Sequence, residues 1–388
     1  MMQHLAARID SARRRTLGWL DAMQAPGLPR GVARISARHD AQRWPGVLLP
    51  GTYNAVMCRA LLGGLDGIDR AALIGWLESH RLPDGRFRIP GMAEADVFKK
   101  PDVAETWGYI DFHVTNYSLG AIEVLDPRRA PRLDFARRFI EPRELLAWLA
   151  LRDLRDPWQE GNNIVNLGSF LLALRGDAPN AVDAAMALLF DWHDRLQEPA
   201  TGFWGLNQAH DARALLHAFA GSMHNFHLWY ATGRTLPHLD RAMDYVLTLP
   251  PTIDSACIDV DAVDLLVHGL ALTGHREAEA RAWLAALLPK LLDWQEADGG
   301  FCDVREGTRR QDGWVRGYEE PQGASNTFAT WFRWIAIAMI ADLFWPGRWP
   351  WRFRGMVGIG YRMPAAGRRR AEAQEVGAAE GVNAMAGK

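Results

Sequence analysis

The segment "ACIDVDAVDLLVHGLALTG", from Ala256 to Gly274, sets three carboxylates and a histidine into an otherwise apolar run. An aspartate interrupts such a run when its charge caps a helix, pairs, binds a metal or reacts. Asp259 stands where it can cap a helix, with Asp261 complementing the first-turn dipole. To act instead as a proton donor, Asp261 must stay protonated near neutral pH. A helix N-terminus lowers a carboxyl pKa, whereas burial and crowding by Asp259 and Asp264 raise it. His268 follows Asp261 by two helical turns on one face and is a candidate hydrogen-bond partner. The aspartates could also hold Mg2+, the one ion this chain suggests. Asp259 and Asp261 point apart on a formed helix, so that role requires a non-helical segment before Asp261.

Other polar residues interrupt apolar stretches near their starts: Tyr53 and Asn54, Asn162, Asn225 and Ser325 among them. A buried polar group without a partner costs about 1–3 kcal/mol, so this many imply a mutual network or a wet pocket. The candidate substrate contacts are His113, Asn116, Tyr117, Asn163, Asn166, His224, His227, Tyr230, Asn326, Arg333 and Trp331. Tryptophan is abundant, with 17 copies, which suits either a bulky core or an aromatic-lined cavity. Trp107, Trp158, Trp204 and Trp331 are candidate cavity walls.

Helices must position these groups, because no segment alternates in the manner of a strand. Apolar, small-residue helices are expected at about 51–64, 112–125, 162–175, 211–231, 257–273 and 325–345. Amphipathic ones are expected at about 2–22, 67–81, 132–153, 178–197, 235–248 and 276–296. A helix apolar all round is buried on every side, and an amphipathic one shows a face to water. Strict alternation of the two kinds predicts an inner ring wrapped by an outer ring, an all-α (α/α)6 toroid. A turn signature repeats as well: His80 to Gly85, Gln197 to Gly202 and Gln295 to Gly300 share one spacing, with Phe87, Phe203 and Phe301 just beyond.

The "QEADGGF" turn resembles the repeat of squalene–hopene cyclases, oxidosqualene cyclases and protein prenyltransferase β subunits. "DVDAVD" is similar to the Asp-x-Asp-Asp motif of class II terpene cyclases, whose middle Asp protonates an alkene or epoxide. That resemblance implies a toroid acting on an isoprenoid, with Asp261 as the acid supported by Asp259 and His268. Ala262 stands where the motif has its last Asp. The prenyltransferase zinc site is incomplete: Asp254 and Cys257 are suitably placed, but no histidine follows His275.

Carbohydrate chemistry is the alternative. A glycosidase needs two opposed carboxylates, for which Asp261 could pair with Glu105, Glu160, Glu319 or Glu320; a lyase could use "MHNFHLWY" and Arg333. A non-catalytic toroid binding a glycan or lipid is the third reading. The net charge of -2 and the lack of a basic stripe offer nothing to nucleic acid. Three cysteines without CxxC spacing, and an N-terminus without a signal-like apolar region, are consistent with a cytoplasmic protein. Residues 1–364 are expected to form one domain, with "GRWPWRFRGMVGIGYRMP" covering one mouth or touching a membrane surface. Residues 365–388 read as a disordered tail. The sequence leaves the oligomeric state open.

Overall fold

The computed structural model describes residues 2–92, 109–154, 157–205, 211–306, 315, 317–320 and 322–363. The described chain is α-helical, its extended pairings limited to isolated bridges. Amphipathic helices α1 (Met2–Ala22), α3 (Arg70–Glu78), α5 (Pro142–Ala150), α7 (Pro179–Leu196), α9 (Leu239–Thr248) and α11 (Glu277–Asp293) alternate with buried ones. The buried set is α2 (Leu48–Leu61), α4 (Tyr109–Leu125), α6 (Pro157–Ala173), α8 (Ala212–Thr232), α10 (Ala256–Thr273) and α12 (Thr327–Phe344). Both sets fall where periodicity places them. The helix expected over 132–153 is instead a 3-10 turn, Asp134–Ile140, followed by α5. Pro142 at the first position of α5 explains the break, since its ring disfavours helix in the residue before it.

The buried helices touch in a closed cycle: α2 packs on α4, α4 on α6, α6 on α8, α8 on α10, α10 on α12, and α12 back on α2. The α6–α8 contact is so close that a Cβ on Gly161 would lie 2.1 Å from the carbonyl oxygen of Gly221. Helix α12 is long and apolar enough to cross a membrane by composition, but 78% of that window is buried within the fold.

One contact recurs at every buried helix. A main-chain N–H in the preceding loop donates to a side chain of the helix. The pairs are Ala33 to Thr52 at 3.0 Å, Phe87 to Thr115 at 2.9 Å and Asp153 to Glu160 at 3.1 Å. They continue with Trp204 to Ser222 at 2.8 Å, Asp254 to Asp259 at 3.0 Å and Phe301 to Thr330 at 2.9 Å. These six contacts set the register of the helices against one another.

They also correct the repeat alignment. The left-handed glycine of the third turn is Gly299, not Gly300, and the Gln position of the first copy is Arg81, not His80. Gln197 donates to the carbonyl of Gly202, Gln295 to that of Gly299, and Arg81 to that of Gly85. Gly202 and Trp204 then correspond to Gly299 and Phe301, so Trp204 occupies the aromatic position assigned above to Phe203.

Candidate active site

The recurring acceptor faces the loop side of each helix. Two residues later the chain has turned by roughly 200°, so that side chain faces the centre of the ring. Asn54, Tyr117, Asn162, His224, Asp261 and Phe332 therefore form one inward tier. Electrostatics agree: Asp261 on α10 acts on Tyr117 on α4, and His224 on α8 acts on His113 on α4. These pairs join helices that are not neighbours in the cycle, so the interactions cross the interior. One turn towards the N-termini, Trp158, Cys257 and Phe328 are partly exposed beside buried neighbours.

The opposite end is closed by a C-terminal strap, residues 351–363. The N–H of Arg352 bonds the Leu61 carbonyl, and that of Gly355 bonds Glu123 Oε2 at 2.8 Å. Asn116 Nδ2 donates to the Val357 carbonyl at 3.2 Å. Arg354 enters the ring, donating to the carbonyl and Oδ1 of Asn116, its guanidinium 5.4 Å from the Tyr117 ring centroid. Burial lowers its pKa to about 10, which leaves it charged at neutral pH. A cavity of about 10 Å3, room for one water, remains between the strap and Met57, Leu61, Val124, Trp331 and Ile335.

Within this enclosure the three aspartates part company. Ser255 caps α10, its hydroxyl accepting from Ile258, so Asp259 is not the cap. Asp259 accepts the Asp254 N–H and forms an ion pair with buried Arg333 of α12. Burial lowers the Arg333 pKa to about 9, and its guanidinium also donates to the Asp303 carbonyl at 2.8 Å. Asp259 and Arg333 are thus each engaged in holding α10 to α12. Asp261 is fully buried, and neither carboxylate oxygen has a hydrogen-bond partner among the described residues. Burial first, then the charge of Asp264, pushes its pKa well above the usual carboxylate range. Asp264 is the opposite case: His227 Nε2 at 3.1 Å and His268 Nδ1 at 2.9 Å hold its carboxyl below the usual range. Two carboxyls driven apart in this way can serve as one acid and one anion.

Several expected contacts take other places. His268 bonds Asp264 and not Asp261. Asn326 caps α12, its Oδ1 accepting from Ala329 at 2.8 Å, and Asn116 holds the strap. Asn163 donates to Glu160 at 3.2 Å. Tyr230 stacks on His268 with centroids 4.3 Å apart, its hydroxyl without a partner among the described residues. Asn166 Nδ2 is buried without a partner among the described residues. Trp331 packs edge-on against Tyr117, whereas Trp204 lies in an outer cluster with His193 and Trp229. Trp107, Glu105 and the 365–388 tail lie outside the described residues. Glu160 is bound to Arg152 at 3.1 Å, Glu320 pairs with Tyr318, and Glu319 is exposed. Because α10 is helical from Ala256, Asp259 and Asp261 diverge, and no cluster of three metal-ligating side chains occurs among the described residues. Asp264 takes the crowding role expected of it, whereas Arg354 was not among the expected residues. The signal available for the tier was an acceptor two residues before an inward polar group, as in Thr115 and Tyr117.

Asp261 is thus a buried carboxyl within a closed cycle of helices, its pKa pushed upward by burial and by Asp264. No family model matches the chain, and no curated protein matches it. Among solved structures, the apo form of a variant of the type II terpene cyclase MstE from Scytonema is similar, at 12% identity and a TM-score of 0.45. The match covers 88% of this chain and 99% of that one.

Proposed function

We propose that this protein is an isoprenoid cyclase in which Asp261 is the general acid. The observation that carries the reading is the setting of Asp261: fully buried, unpartnered among the described residues, with burial and then Asp264 pushing its pKa upward. A carboxyl so placed costs stability, and its proton is available to a substrate. In the step proposed, the Asp261 O–H bond breaks as a C–H bond forms at a terminal alkene carbon, or as an epoxide oxygen takes the proton. Asp261 is left as carboxylate, and the carbocation is quenched by losing a proton or capturing water.

The surroundings suit this chemistry. Tyr53, Tyr117 and Trp331 present aromatic rings in contact with one another, and ring faces stabilise positive charge. His113 and His224 are held neutral, with pKa values lowered by burial to about 3, so neither competes with the substrate cation. A linear isoprenoid is the substrate class that needs an acid, aromatic walls and exclusion of water together. The test is product analysis after incubation with linear polyprenyl alcohols, their diphosphates and squalene, by gas chromatography and mass spectrometry. Cyclic products from wild type, absent with Asp261→Asn, are expected. Turnover unchanged by that substitution would remove Asp261 from the mechanism.

A further inference from the structure

Asp261 and Asp264 lie three residues apart on the inner face of α10, about 4.5 Å along its axis. Their partners differ completely. Asp264 receives His227 from α8 at 3.1 Å and His268 from its own helix at 2.9 Å. Both ring nitrogens of His227 lie against acceptors, Nε2 against Asp264 and Nδ1 against the His224 carbonyl at 3.1 Å. His268 has a different constraint. Its Nε2 receives the main-chain N–H of Met363 at 3.3 Å, which leaves Nδ1 to carry the proton, directed at Asp264. Two donors thus converge on one carboxylate, and one of them is set in place by the C-terminal strap.

The ionisable groups that face this pair are few. Tyr117 faces Asp261 from α4; His224, His227 and Tyr230 face Asp264 from α8; Arg362 of the strap acts on His268. Asp264 is the group whose charge bears directly on Asp261. Ala262, where the cyclase motif has a carboxylate, supplies none.

We propose that Asp264, clamped by His227 and His268 three residues along α10, is a fixed anion that adds to burial in holding the proton on Asp261, with the Met363 N–H completing the clamp. Asp264 is a positioning residue, since it acts through Asp261. The proposal rests on Asp261 as proton donor, and the experiment separates the two because it needs no turnover.

The infrared carboxylic-acid C=O band of the substrate-free protein is titrated with pH, and its absence in Asp261→Asn assigns it. In Asp264→Asn the deprotonation midpoint is expected to fall by about one pH unit or more, while Asp264→Glu restores it. A purely structural role would leave the midpoint in place, and an unshifted midpoint in folded Asp264→Asn overturns the proposal. If Asp264→Asn does not fold, 15N spectra of the wild-type imidazoles decide. A proton on Nδ1 of His268 and on Nε2 of His227 supports the clamp; a proton on Nε2 of His268 overturns it. A shifted band in a protein that cyclises nothing upholds the clamp and sinks the cyclase reading alone.

Discussion

Asp261 on α10 adds to burial in pushing up the pKa of the Tyr117 hydroxyl on α4, although α4 and α10 are not adjacent in the cycle of buried helices. Their interaction spans the inside of the ring, and it makes Asp261 an interior group whose cost the fold sustains. Replacing it by an apolar residue is therefore expected to stabilise the protein while abolishing activity. Asp261→Leu should raise the unfolding free energy by about 1 kcal/mol or more, measured by urea denaturation. A marked loss of stability would show instead that the carboxyl is a structural partner.

Asp259 should behave in the opposite way. Removing one member of a buried ion pair leaves the other uncompensated, at a cost of about 3–5 kcal/mol. Asp259→Asn is expected to destabilise by that amount, because Arg333 stays buried. The double substitution Asp259→Met with Arg333→Met should cost less than the single one. A double substitution that costs as much as Asp259→Met and Arg333→Met summed would mean that the pair is not coupled.

Acid sensitivity follows from three buried histidines. Burial holds His113, His193 and His224 at pKa values of about 3, against about 6.5 in the unfolded chain. Below pH 6.5 the unfolded state therefore binds protons that the folded state refuses. Stability is complete above pH 6.5 and falls as pH drops towards 3, by up to about 4 kcal/mol per pH unit for the three together. Denaturation midpoints at pH 7, 6 and 5 measure this, and a flat profile would contradict it.

Gly161→Ala tests the α6–α8 contact. The added methyl meets the carbonyl of Gly221, a backbone atom that cannot swing aside. A loss of more than about 2 kcal/mol is expected, read by thermal melting. Gly75→Ala, where nothing lies within 4 Å of the new methyl, serves as the control and should be neutral or stabilising.

Helix alternation was legible in the sequence because burial leaves a local imprint: a helix surrounded by protein is apolar all round, and its outer partner is not. That pattern located α2 and α10 as readily as α7. The six register contacts left no such imprint. Thr52, Glu160, Ser222 and Asp259 are chemically different residues that share one geometric task, accepting a loop N–H, so no motif marks them. Nor could sequence rank the three aspartates. Spacing shows that Asp259, Asp261 and Asp264 leave α10 in different directions, but not what each meets. Arg333 lies 74 residues from Asp259, and His227 lies 37 from Asp264. A carboxyl's charge is fixed by such neighbours, and only the closed ring brings them to two of the aspartates while leaving Asp261 buried and alone among the described residues.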